Sequence, residues 1–169
     1  MAAVLQSFGV GKGDRVQIYM PMIAEAAFAM LACVRLGAIH SVVFGGFASG
    51  SLASRIDDAQ PKVVISADAG SRGGKAIAYK PLLDEALQLA KHKPAAVLLV
   101  DRGLAPMPLQ AGRDHLWSTL RTQPQFSEAK VPCTWLNSSD PSYILYTSGT
   151  TGKPKGVQRD TGGYAVALA

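Results

Sequence analysis

Short β-branched runs alternate with longer helix-patterned segments along most of this chain, and that alternation admits few folds. "RVQIYM" (Arg15 to Met20) alternates polar and apolar residues and is stopped by Pro21, the pattern of a strand. An Ala-rich segment of helical length runs from Ile23 to Leu36, with Gly37 placed to end it. "IHSVVF" (Ile39 to Phe44) repeats the strand pattern, the Gly45-Gly46 turn follows, and a helix is expected from about Gly50 to Ala59, closed before Pro61. "KVVISA" is the third strand. A helix from about Pro81 to His92 carries Leu83, Ala86, Leu87 and Ala90 on one face, with Asp84 and Glu85 near its start and Lys91, His92 and Lys93 at its end. "AAVLLV" (Ala95 to Val100) is apolar throughout, as a strand covered on both faces is. A Pro/Gly-rich connection (Gly103 to Gly112), a short helix near Leu116 to Thr122 and the strand "SYILYT" complete the series. Strand and helix alternating at these lengths predict an α/β fold: a doubly wound, largely parallel sheet with helices on both faces.

A chain of 169 residues has the size of one domain and can bury a sizeable core. Its 17 Lys+Arg against 12 Asp+Glu give a formal charge of +5, scattered along the chain and not gathered into a block. That balance suits small polyanions better than nucleic acid. Cys33 and Cys133 belong to no Cys-x-x-Cys pair and to no Cys/His cluster with metal-ligand spacing, so both are expected to be buried free thiols of a reducing compartment. "MAAVLQSFGV" lacks the basic start of a secretory signal, and the most hydrophobic segment, Ala26 to Val34, is too short to span a bilayer. A soluble, cytoplasmic protein is expected. "MAAVLQSFGVGKGD" reads as the last turns of a helix and "TGGYAVALA" as the start of another, so both ends are expected to be cut.

The stretch with most chemistry is "YTSGTTGKPKGV" (Tyr146 to Val157). In an open parallel sheet ligands gather at the carboxyl ends of strands, and this segment leaves such an end. Gly149, Gly152 and Gly156 let backbone N–H groups turn inward, Thr147, Ser148, Thr150 and Thr151 add hydroxyl donors, and Lys153 and Lys155 add charge. The spacing is not that of a Walker A loop, since only two residues separate Gly149 from Gly152 and Pro154 follows Lys153. On residue types alone, a phosphate cradle and a solvated polar loop both remain.

The segment resembles the phosphate-binding signature of the adenylate-forming superfamily, and "GDRVQIYMPMIAEAAFAMLACVRLGAIHSVVFGGFASGSLASRI" is similar to its short-chain branch, the acetyl- and propionyl-CoA synthetases. "RGGK" followed by "YKPLLDEAL", and "KGVQRDTGGYAVALA", look more like the propionyl than the acetyl members. The resemblance implies that residues 1–169 are part of a large N-terminal AMP-binding domain, with a small C-terminal domain absent. It implies a ligase acting on a short carboxylate, propionate before acetate, with ATP, Mg2+ and CoA, through an acyl-adenylate. Thr147, Ser148, Gly149, Thr150, Thr151, Gly152, Lys153, Lys155 and Gly156 would then hold the ATP phosphates, with Lys153 the catalytic group. Arg72, Gly73, Gly74 and Lys75 would contact CoA. It implies no nucleic-acid or membrane partner, and a segment inactive alone for want of its adenine, ribose and carboxylate sites. A reading of another class is a stand-alone nucleotide-binding module without catalysis. His40, His92 and His115 are expected to be structural or solvent-facing, and Trp117 and Trp135 to be packing residues.

Overall fold

The computed structural model describes residues 1–147 and 154–169, with Arg72 as backbone. Helix α1 (Ala2–Ser7) leads to β1 (Arg15–Met20), which α2 (Ala24–Leu36) connects to β2 (Ile39–Phe44); α3 (Ser49–Ala59) then crosses back to β3 (Val63–Ala67). A hairpin of β4 (Ala69–Arg72) and β5 (Lys75–Ala78) precedes α4 (Tyr79–Leu89) and β6 (Ala96–Val100). The chain continues through β7 (Asp114–Leu116), α5 (Trp117–Leu120), α6 (Pro124–Ser127), β8 (Pro141–Thr147), β9 (Lys155–Asp160) and α7 (Thr161–Leu168). Seven strands form one sheet in the order β7-β6-β3-β1-β2-β8-β9, and every neighbouring pair is parallel except β8 with β9.

Side-chain alternation divides the core between the two faces of this sheet. Val16, Ile18, Val63, Ile65 and Leu98 pack with α1 and α2, while Tyr19, Val64, Val97 and Leu99 pack with α3 and α4. Ile18, Ile65 and Leu98 are fully buried, a removal from water that stabilises by roughly 1.5–3 kcal/mol for each side chain. Strands covered on both faces need no polar alternation, which is why "KVVISA" and "AAVLLV" read as nearly continuous apolar runs. Gly37 ends α2 at φ 66°, in the left-handed conformation expected of it.

The doubly wound sheet therefore agrees with the sequence, and the departures are local. Helix α4 stops at Leu89, short of His92, because Ala90 turns extended; Lys93 nevertheless donates to the Leu87 and Ala90 carbonyls, so the cation still meets the helix end. Cys33 is buried but Cys133 is exposed, and Trp135 is 93% exposed where a packing residue was expected. Both lie in the irregular segment before β8, outside the two packed faces of the sheet. No described helix is long and apolar enough to cross a membrane.

Candidate functional site

Helices α2 and α3 leave the adjacent strands β1 and β2 toward opposite faces of the sheet, which opens a crevice at the carboxyl ends of these strands. A cavity of about 630 Å³ lies there, lined by Met20 at the end of β1 and Pro21 after it, Gly45 and Gly46 after β2, Gly70, Ser71 and Ile77 of the hairpin, Tyr79, Arg102 and Leu145. The glycines are sterically required. A Cβ on Gly45 would stand 2.0 Å from the Tyr79 hydroxyl oxygen, and one on Gly70 would stand 2.4 Å from it.

Tyr79 is held in that slot by its neighbours. Its ring lies 5.0 Å from that of Tyr19, whose hydroxyl donates to the Phe47 carbonyl at 3.2 Å. Burial, and then the nearby Tyr79, push the Tyr19 phenol up to about 12, so it stays a donor through the neutral range. Tyr79 thus lines the crevice, backed by the fully buried Tyr19 packed at a tilt against it.

The basic segment singled out in the sequence forms the tip of the β4–β5 hairpin beside this crevice. Ala69 pairs with Ala78 and Arg72 with Lys75, which leaves Gly73 (φ 57°) and Gly74 (φ 75°) as the two turn residues, both left-handed as such a tight turn demands. Pairing of β4 with β5 turns the two glycines into a two-residue connection. Lys75 is exposed at the tip, and Arg102 donates from Nη1 to the Ala69 carbonyl at 3.0 Å, placing a further cation at the hairpin base.

Strand β8 passes the same crevice at Leu145 and pairs antiparallel with β9, Tyr146 opposite Gly156 and Thr147 opposite Lys155. Thr147, Lys155 and Gly156 are exposed at the mouth of this hairpin, whereas Ser148, Gly149, Thr150, Thr151, Gly152 and Lys153 lie outside the described residues. The crevice, the Arg72–Lys75 tip and the stem of the β8–β9 loop are therefore brought together at the carboxyl end of the parallel strands. The roles of Gly70, Tyr79 and Arg102 escape sequence reasoning; the Gly45-Gly46 pair directly after a strand was the available signal.

The three histidines stand away from this crevice. His40 stacks on Tyr143 at 5.7 Å between ring centroids, and burial pushes its imidazole down to about 4. His92 Nε2 pairs with the Pro61 carbonyl at 2.8 Å, and His115 lies against Phe8.

A family model described as AMP-binding enzyme matches residues 1–169. The chain is 64% identical over 169 residues to the propionate–CoA ligase of Escherichia coli, covering 100% of this chain and 27% of that protein. It is 51% identical to the human mitochondrial acyl-CoA synthetase short-chain family member 3, covering 99% of this chain and 24% of the relative. Among solved structures it matches acetoacetyl-CoA synthetase from Streptomyces lividans with a TM-score of 0.85 and 29% identity, over 98% of this chain and 24% of that one. The chain thus spans about a quarter of the length of these relatives.

Proposed function

Because this chain belongs to the AMP-binding enzyme family, we propose that the complete enzyme is an AMP-forming propionate–CoA ligase, converting ATP, propionate and CoA to propionyl-CoA, AMP and diphosphate. The observation that carries this reading is the 64% identity, spread over the whole chain, to a propionate–CoA ligase. Acetate is the competing substrate, as expected for a neighbouring branch of the same family.

In this reading the β8–β9 loop holds the ATP phosphates. Thr147, Ser148, Thr150 and Thr151 offer hydroxyls, Gly149, Gly152 and Gly156 offer unshielded backbone amides, and Lys153 and Lys155 offer positive charge. Nucleotidyl transfer depends mostly on positioning and on stabilising charge spread over oxygens, so Lys153 acts as an electrostatic catalyst with no proton to move. Mg2+ enters with ATP, held chiefly by phosphate oxygens and water. The acyl-adenylate then meets CoA, whose phosphates bind the Arg72–Lys75 tip while the chain of the cofactor follows the adjacent crevice. Two unpaired thiols, one fully buried, fit a reducing compartment, and we place the enzyme in the cytoplasm.

The test is carboxylate-dependent ATP–pyrophosphate exchange by the complete enzyme. Exchange driven by propionate in preference to acetate supports the substrate assignment. Preference for acetate moves the enzyme to the neighbouring branch, and exchange with neither removes the ligase reading.

A further inference from the structure

Arg55 of α3 is 5% exposed, yet among the described residues it forms no ion pair. Its Nη1 donates to the Ser51 carbonyl at 2.8 Å and to Ser51 Oγ at 2.6 Å, one turn back on the same helix. Its guanidinium carbon lies 4.2 Å from the centroid of the Phe47 ring and 5.1 Å from that of Tyr146. A buried cation without a carboxylate is costly unless other groups offset the lost hydration, and two aromatic rings within cation–π range do so here. These rings belong to different parts of the site. Phe47 follows the Gly45-Gly46 wall of the crevice, and Tyr146 is the last residue of β8 but one.

A second side chain of the same helix face reaches the same strand pair. Asp58, three residues after Arg55, accepts a hydrogen bond from the Tyr146 hydroxyl at 2.7 Å. Across the pairing, Gly156 of β9 presses on it: a Cβ there would lie 3.1 Å from Asp58 Oδ2 and 3.2 Å from Tyr146 Cε1. Helix α3 therefore touches the strand that enters the loop and the strand that leaves it. Burial, and then the Asp58 carboxylate, push the Tyr146 phenol up, so it remains the donor in this hydrogen bond.

We propose that Arg55 and Asp58 are positioning residues, a clamp from α3 that fixes the base of the phosphate loop to the crevice wall through Tyr146, Gly156 and Phe47. The proposal rests on the ligase reading and adds to it which residues set the geometry of the adenylation step. Displacement of a reacting group by about 1 Å can cost on the order of 100-fold in rate. A helix that grips both strands of the stem limits such displacement at its source.

The test uses the complete enzyme with Tyr146→Phe, which removes one hydroxyl, and Arg55→Lys, which keeps the charge but loses the planar stack. Two readouts are compared: propionate-dependent ATP–pyrophosphate exchange, and thioester formation from supplied propionyl-adenylate and CoA. Each variant is expected to slow exchange about tenfold, the scale on which one such interaction stabilises a transition state, while thioester formation changes by less than about twofold. Unchanged exchange in Tyr146→Phe overturns the clamp, as does an equal decline in both half-reactions, which marks a structural role. Should Arg55→Lys fail to fold, Tyr146→Phe alone decides. Absence of exchange in the wild type overturns the ligase reading and the clamp's adenylation role with it; wild-type exchange matched by both variants overturns the clamp alone.

Discussion

Lys80 Nζ lies 3.1 Å from Asp114 Oδ2, with the two side chains 1% and 0% exposed. Lys80 also reaches Asp84 one turn along α4, and Arg113 pairs with both carboxylates. Four charged groups thus close on one another where β7 meets α4. Burial pushes the Asp114 carboxyl up, but the Arg113 guanidinium, the Gln110 amide and Lys80 together outweigh it and hold the group below the usual carboxylate range.

Removing one member of such a set leaves the others charged and poorly solvated. Asp114→Ala is therefore expected to cost about 3 kcal/mol of stability, mostly because the buried Lys80 keeps only the partly exposed Asp84 as a partner. The shift of the urea midpoint measures it. A change below about 1 kcal/mol, the level typical of an exposed pair, would show that water reaches the network.

The Tyr79 slot makes a different prediction. Gly45→Ala places a methyl 2.0 Å from the Tyr79 hydroxyl oxygen, and the ring has no room to retreat because Gly70 closes the other side. Overpacking of this kind costs about 1–3 kcal/mol. Tyr79→Leu added to Gly45→Ala should recover part of that stability, so the two changes are coupled in a double-mutant cycle. Strictly additive melting shifts would mean that the slot is open.

His40 gives the protein an acid limb of its own. Burial lowers its pKa from 6.5 to about 4, so on acidification the unfolded chain takes up the proton first. Stability is then complete above pH 6.5 and falls as pH drops toward 4, at up to about 1.4 kcal/mol per pH unit. His40→Phe, which keeps the stack on Tyr143, should flatten that interval in melts at about pH 7 and about pH 4.5, the two sides of the transition. An unaltered slope would assign the acid limb to carboxylates.

The elements legible in the sequence are those whose evidence is local. Each of β1, β2, β3 and β6 is a β-branched or apolar run with a proline, glycine or helix pattern at its borders. The strands that escape it depend on partners far away or on short pairing. "AGSR" and "KAIA" carry little strand propensity and pair only with each other, and "KGVQRD" has a single β-branched residue, held by its pairing with β8. The site divides the same way. The hydroxyls, glycines and lysines of the loop announce themselves by density, but Tyr79 between Gly45 and Gly70 is a meeting of three separate stretches of the chain. Arg55 looks like any helical arginine until Phe47 and Tyr146 are seen stacked against it.

The two proposed phosphate sites should separate by half-reaction in the complete enzyme. Lys153→Ala is expected to slow ATP–pyrophosphate exchange by about 100-fold or more, as removal of a group that meets developing charge does. Arg72→Ala is expected to raise the KM for CoA by about tenfold, the worth of one charge-assisted hydrogen bond, and to spare exchange. Damage to exchange by Arg72→Ala equal to its damage to thioester formation would make Arg72 a structural residue.

The proposed chemistry of the complete enzyme is tested most directly by its product ratio with Mg-ATP, propionate and CoA, followed by mass spectrometry. AMP, diphosphate and propionyl-CoA in equal amounts are expected, with a propionyl hydroxamate trapped by hydroxylamine when CoA is left out. ADP and inorganic phosphate in place of AMP and diphosphate, or no thioester at all, would contradict it.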